Sequence, residues 1–251
     1  MKKTLLISTL FLIFTLTKCD TKKIEKHYGD GFYYKFIDDV DDSIAIGEKI
    51  DPTYQTYVFL PSQIEGHPVK QLGFPTGFCI GIGGEFYSLH YMDKERKEAI
   101  EVDRLYVPTS VDKVYGSYAM KFIDNFKLFY AGEILDLHIF VYDYVSLRIY
   151  VPMDKYDDFL DCSKKTDETY IYSANVVYDL NYDDEETYYI DYYDENSLIE
   201  CIPPEPSREG YEFVGWYKEE ACNTLWDFSS DTIIDEKEEL RLYAKWQQRG
   251  E

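Results

Sequence analysis

Cations are scarce in this chain: 26 lysines and arginines face 48 aspartates and glutamates among 251 residues, for a formal net charge of -22. That balance disfavours nucleic acid, anionic lipid and heparin-like polymers as partners, because their approach meets like-charge repulsion over much of the surface. Cationic ligands stay open, and solubility alone explains such acidity equally well. Cysteine is sparse too. Five are present and no two stand two to four residues apart, which excludes the thiolate spacing of a structural zinc site. The four histidines, His27, His67, His90 and His138, are scattered outside any metal or nucleophile motif, and His67 reads as part of a Gly-His-Pro turn. Gly81-Ile82-Gly83-Gly84 lacks the helix and lysine of a phosphate loop. Carboxylates abound, but abundance singles out no glycosidase pair. The expectation is a chain without catalysis, cofactor or metal.

The acidic runs Asp38-Asp39-Val40-Asp41-Asp42 and Asp183-Asp184-Glu185-Glu186 raise the question of calcium. Asp179-Leu180-Asn181-Tyr182-Asp183 opens like a calcium loop. However, Asp184 stands where glycine makes the turn and Ile190 where a bidentate glutamate belongs. Solvated loops fit better.

The apolar run from Leu5 to Leu16, after Lys2 and Lys3, has the length of a signal-peptide core. It is too short to cross a hydrocarbon layer of about 30 Å. Residues 1–18 therefore read as a secretion signal. Leu16-Thr17-Lys18-Cys19 resembles a bacterial lipobox, which implies a diacylated Cys19 as the first mature residue and attachment to the membrane. Each buried methylene would contribute about 0.8 kcal/mol. Lys18 departs from the small residue usual there, so a plain cleaved signal or a short uncleaved anchor remains open. Residues 19–32 form a polar tether.

Tyrosine is what the chain has in quantity, with 26 residues beside 15 phenylalanines. Tyrosine serves half-buried sheets and binding surfaces alike. Tyr33-Tyr34, Tyr188-Tyr189 and Tyr192-Tyr193 put neighbouring rings on opposite faces of a strand, so one member of each is expected to be exposed, where it can stack on sugar.

Near the C-terminus, Pro203-Pro204-Glu205-Pro206 holds the chain extended and Gly210 permits a turn. Tyr211 to Tyr217 then reads as an aromatic strand. Leu240, Leu242, Ala244 and Trp246 alternate with Glu239, Arg241, Tyr243 and Lys245, a strand with one buried face. Trp226 and Phe228 add large rings for a small core. From about Val176 to Trp246 these landmarks, Arg208, Gly210, Tyr211, Phe213, Gly215, Trp216, Tyr217, Trp226, Phe228, Tyr243 and Trp246, resemble the Listeria-Bacteroides (internalin-B-type) repeat. The resemblance implies a small β-grasp, ubiquitin-like module of bacterial surface proteins, placed in the cell envelope, without catalysis, and serving adhesion or spacing. One copy stands here where tandem copies are usual, which speaks against a long stalk.

The middle of the chain repeats a strand, a proline and a polar turn at Phe59-Leu60-Pro61, Tyr106-Val107-Pro108 and Tyr150-Val151-Pro152. The prolines lie 47 and 44 residues apart, about twice one leucine-rich repeat, so degenerate strands are expected near Ile80-Gly81-Ile82 and Leu128-Phe129-Tyr130. Ile64 to Gly73, and Val111-Asp112-Lys113-Val114 with Ser117 to Met120, resemble the BspA-like leucine-rich repeat of bacterial surface proteins. Such a stack needs caps, which Tyr28 to Ile50 or the C-terminal module can supply. Helices are expected at Met153 to Cys162 and, with a weaker pattern, Asp93 to Ile100. Cys79, Cys162, Cys201 and Cys222 leave both disulfides and free thiols open.

The sequence thus reads as α+β and β-rich. An irregular leucine-rich-repeat solenoid (residues 33–171) precedes a β-grasp repeat (residues 172–247) and a short tail (248–251). The expected work is non-enzymatic recognition at the cell surface, of a protein partner or, through exposed rings, of a glycan; a passive envelope spacer is the third reading.

Overall fold

The computed structural model describes residues 27–29, 32–37, 42–49, 57–72, 91–92, 99–100, 104–115, 127–133, 136–138, 147–162, 169–182 and 187–250. The leader, Cys19, the tether up to residue 26, residues 38–41, Ile80 to Ile82, Cys79, His90 and the run 183–186 lie outside them.

Valine, isoleucine and aromatic residues in short runs bounded by proline and turn residues dictate strands. In chain order these are β1 (His27–Gly29), β2 (Phe32–Phe36), β3 (Ile44–Lys49), β4 (Tyr57–Phe59), β5 (Gln63–Ile64), β6 (His67–Leu72), β7 (Tyr91–Met92), β8 (Ala99–Ile100) and β9 (Arg104–Val107). They continue as β10 (Lys113–Tyr115), β11 (Lys127–Tyr130), β12 (Asp136–His138) and β13 (Leu147–Val151). A 3-10 turn, Met153–Lys155, then leads into helix α1 (Tyr156–Cys162). The last strands are β14 (Thr169–Ser173), β15 (Val176–Asp179), β16 (Thr187–Asp191), β17 (Tyr211–Tyr217) and β18 (Leu240–Gln248).

Strands β4, β9, β11, β13 and β14 lie side by side in a five-stranded parallel sheet. Strands β3, β6, β10 and β12 run parallel in another, extended by the antiparallel β1 and β2. After Pro61 and Pro108 the chain steps from this sheet to the other, at β5–β6 and at β10, whereas after Pro152 it passes through α1 to β14 of the same sheet. Pro108 ends β9 and accepts from the Val111 N–H at 3.2 Å, and Pro152 ends β13 and accepts from Lys155 at 3.1 Å. A proline cannot donate to the ladder, so each strand stops there. Leu128, Phe129 and Tyr130 form a strand between β9 and β13, at the position that the spacing marks. β4 pairs directly with β9, so no further strand stands between them in this sheet.

Side chains alternate across the five strands and create two cores. On one side Val58, Leu60, Leu105, Val107, Leu128, Tyr130, Ile149 and Val151 meet Ile44, Ile46, Ile64 and Val69 of the other sheet, with Phe159 of α1. On the other side Tyr106, Phe129 and Tyr150 share a core with Tyr178, Tyr189, Trp216 and Leu242 of the C-terminal sheet. Burial on both faces is what parallel strands require.

The C-terminal sheet has the order β16-β15-β18-β17, with β15 and β18 parallel at its centre. Its entry turn closes when Tyr211 N–H donates to Arg208 at 3.1 Å, and Gly210 supplies the φ of +77° that this turn needs. A bulge at Phe213/Gly215 skews β17, and Gly215 takes it at φ +152°, with Leu225 against it. Trp216 and Trp226 are buried, whereas Trp246 is half-buried with its Nε1 donating to Leu180 at 2.6 Å.

Three expectations change, and the state of two cysteines that the sequence left open is decided. Ala99 and Ile100 form a strand antiparallel to β7 where a helix end was expected. His67 opens β6, and the turn before it is Glu65-Gly66, both at positive φ, the conformation that a two-residue hairpin demands. Cys201 and Cys222 are buried free thiols. Neither member of Tyr188-Tyr189 or of Tyr192-Tyr193 is exposed: Tyr189 and Tyr193 are buried, and Tyr188 and Tyr192 are half-buried against Trp216 and Tyr150; among the described residues the exposed tyrosines are Tyr170 and Tyr172.

Two outcomes follow from the shared second core. Trp216→Ala costs about 3–5 kcal/mol in urea unfolding, as a large ring removed from a filled core does. A chain ending at residue 171 uncovers Phe59, Tyr106, Phe129 and Tyr150, and it binds a hydrophobic dye and aggregates; a soluble, dye-silent product would contradict the shared core.

Candidate functional site

The face of the parallel sheet that receives the C-terminal module is built by register. Phe59 pairs with Tyr106, Tyr106 with Phe129, Phe129 with Tyr150 and Tyr150 with Tyr172, so the five rings fall in one file. Centroids are 4.0, 4.7, 4.8 and 5.2 Å apart, and all four pairs are stacked. Each such contact is worth about 0.5–1.5 kcal/mol beyond its burial. Tyr189 of β16 closes edge-on over Phe59 at 4.9 Å and donates to the Leu60 carbonyl at 2.6 Å. Tyr192 covers Tyr150 at 5.3 Å. Only the β14 end of the file, Tyr172 with its neighbour Tyr170, stays wet.

Beside the rings is a buried carboxylate. Asp191, the last residue of β16, is 0% exposed and accepts from the Tyr106 hydroxyl at 2.8 Å, the Arg104 guanidinium at 3.3 Å and the Tyr192 N–H at 2.8 Å. Arg104 also lies over the Tyr193 ring at 5.2 Å, and the Tyr193 hydroxyl accepts the Cys201 N–H at 2.8 Å. Burial pushes the Asp191 carboxyl up to about 7, although Arg104, the Tyr192 N–H and Tyr106 all pull it down. Burial likewise raises Tyr106, Tyr193 and the Cys201 thiol. A thiol raised in this way is poor in thiolate.

The residues that the sequence singled out gather elsewhere, in the module. The Arg208 guanidinium lies 4.1 Å from the Tyr211 ring, 4.6 Å from Tyr182 and 5.9 Å from Trp246. Phe213 stands edge-on to Trp216 and to Trp246. Lys245 lies over Tyr217 at 4.6 Å, while Phe228 packs at the edge of the second core. Tyr243 is half-buried, on the β18 face beside Arg241 and Lys245. These groups hold the module together. Asp179, the first position of the calcium-like run, accepts from Arg241 at 2.9 Å and from the Asn181 N–H at 2.8 Å, with Asn181 at φ +54°. It is a buried turn anchor. His67 stands 2.9 Å from the Asp42 carboxylate and edge-on to Phe36. The sequence reading missed Arg104 and Asp191, though an aromatic residue two places before each of Pro61, Pro108 and Pro152 already marked three rings of the file.

Asp191 carries a pH signature. Its folded value lies above the ordinary 3.8, so its stabilising contribution is full below that value and is lost as pH rises through about 7. Measured by denaturant unfolding from pH 5 to 8.5, Asp191→Asn therefore gains on the parent chain as pH rises. A gap independent of pH would contradict the burial of this carboxylate.

Residues 175–245 match the model of the Listeria-Bacteroides repeat domain. Over 52 residues the chain is 42% identical to a protein of Evansella cellulosilytica named as a candidate membrane protein, which is 21% of this chain and 7% of that one. A glycine-rich candidate membrane protein of the same organism matches equally, over 5% of its length. Internalin H of Listeria monocytogenes is 41% identical over 51 residues, 20% of this chain and 9% of its own. The chain spans less than a tenth of the curated relatives it matches. Its C-terminal part, residues 175–245, is a Listeria-Bacteroides repeat domain.

Proposed function

We propose that this chain is an exported bacterial surface protein that binds a partner without catalysis, held outside the membrane by acylated Cys19. The repeat domain supports the surface reading, and so does the similarity over 51 or 52 residues to internalin H and to two candidate membrane proteins. The strand order β16-β15-β18-β17, with parallel central strands, supports a β-grasp module. The five parallel strands, stepping through proline turns into a second parallel sheet, support a short repeat stack.

The observation that carries the non-catalytic reading is what the buried polar groups do. Asp179, Asp191 and Cys201 are enclosed and committed to internal bonds or packing, and they hold strands and sheets in place. Recognition then falls to the outer surface, where the β14 end of the parallel sheet is left open by the module.

Membrane fractions of the producing bacterium test the anchor. Mass analysis finds a mature chain that starts at Cys19 with a diacylglyceryl group, and Cys19→Ala moves the protein from membrane to medium. A cytosolic chain that keeps residues 1–18 would overturn the proposal.

A further inference from the structure

Strand β14 is the outer strand of the five-stranded parallel sheet, and its side chains divide between the two faces. Ile171 packs against the first core, so Tyr170 and Tyr172 on either side of it take the opposite face, the one that carries the aromatic file. They are 48% and 39% exposed, whereas Tyr106, Phe129 and Tyr150 on the same face are buried. Two positions along a strand span about 7 Å, so the two rings can lie under successive units of a chain-like ligand.

This floor is fixed before any ligand arrives. Tyr172 stacks on Tyr150 with centroids 5.2 Å apart and planes 22° from parallel, and Tyr192 of the module lies over the same Tyr150 ring at 5.3 Å. Tyr192 therefore stands one ring away from Tyr172 and forms a wall at the inner end of the floor. Polar groups gather at that corner. Burial raises the Tyr150 hydroxyl, Arg148 lowers it, and Tyr172 and Tyr192 raise it further, so three hydroxyls and a guanidinium are neighbours. Burial also raises Tyr192, with Glu236 and Asp194 acting next, which puts two carboxylates beside the wall. Apolar ring faces bordered by a few convergent donors and acceptors suit a sugar, whose C–H faces lie on rings and whose hydroxyls both donate and accept. Nothing here has to be unpaired for this, since a tyrosine hydroxyl carries two lone pairs and a carboxylate about four acceptor positions.

We propose that Tyr170 and Tyr172, with Tyr192 as the wall, bind a neutral oligosaccharide. Its rings pack on the two exposed tyrosine faces, and its hydroxyls bond among the groups at the corner. The ligand is neutral because Glu236, Asp194 and the net charge of -22 oppose another carboxylate. The site rests on the surface-binding reading above and gives its ligand a chemical class.

Calorimetric titration of the full chain tests it with neutral tetrasaccharides of glucose, mannose, galactose and N-acetylglucosamine, with tetragalacturonate as the acidic counterpart, and with a proline-rich peptide, the other ligand that docks on exposed aromatic rings. At least one neutral sugar binds, at least about tenfold more tightly than tetragalacturonate or the peptide, and salt leaves its affinity unchanged. Tyr170→Ala and Tyr172→Ala each lower that affinity at least about tenfold, as the loss of an aromatic anchor does. Tyr172→Phe costs less because the ring remains, and Ile234→Ala, at an exposed apolar residue of the module, changes nothing. Unchanged melting temperatures show that the variants fold. Equal binding of tetragalacturonate or of the peptide, indifference to both alanine substitutions, or no neutral sugar bound at about 10 mM would each overturn the site. If the chain still binds whole cells in those cases, the surface-binding reading stands and this site alone falls; if it binds neither, both fall.

Discussion

A carboxylate sealed from water joins the two halves of this protein. Asp191 belongs to the C-terminal sheet, yet two of its donors, Arg104 and Tyr106, come from the parallel sheet more than eighty residues earlier. A buried ionisable group is costly when unpaired, so the halves meet in one register, where those donors are in place. Stability comes from elsewhere. The stacked file of Phe59, Tyr106, Phe129 and Tyr150, capped by Tyr189 and Tyr192, supplies the apolar contact, while Asp191 fixes how the two faces lie.

That docking changes what the repeat domain does here. A free module would offer its own surface on a stalk, but this one covers the centre of the parallel sheet and shares a core with it. Its signature residues act inward: Arg208 among three rings, Gly210 and Gly215 at turn and bulge, Trp216 in the core. What the module leaves uncovered is the rim, where the sheet emerges at β14 with Tyr170 and Tyr172 exposed.

Much of this was legible in the residues. Alternation from Leu240 to Trp246 marks β18, the proline–glycine–aromatic order marks β17, and the doubled proline spacing marks β11. Helix α1 follows from Pro152 and the spacing of Tyr156, Phe159 and Leu160. The junction was not legible, because a period reports which face a side chain takes and not which distant face it will meet. Arg104 reads as a surface cation until Asp191, from another sheet, is laid over it. The tyrosine pairs misled because strict alternation does not hold there: the register shift opposite Tyr178/Asp179 skips Tyr188, whose ring stacks on Trp216, and Tyr192 lies past the end of β16, over Tyr150. His67 misled at shorter range, since Glu65 and Gly66 take the positive φ values and leave the histidine to begin the strand.

The central claim is that module and parallel sheet form one cooperative body, fastened at Asp191. Native-state amide hydrogen exchange measures this directly. The account predicts that the buried amides of β9, β11, β15 and β16 open together, with one free energy and one dependence on denaturant. A module that keeps its protection while β9 and β11 exchange at a much lower free energy would show two bodies in loose contact, and would contradict it.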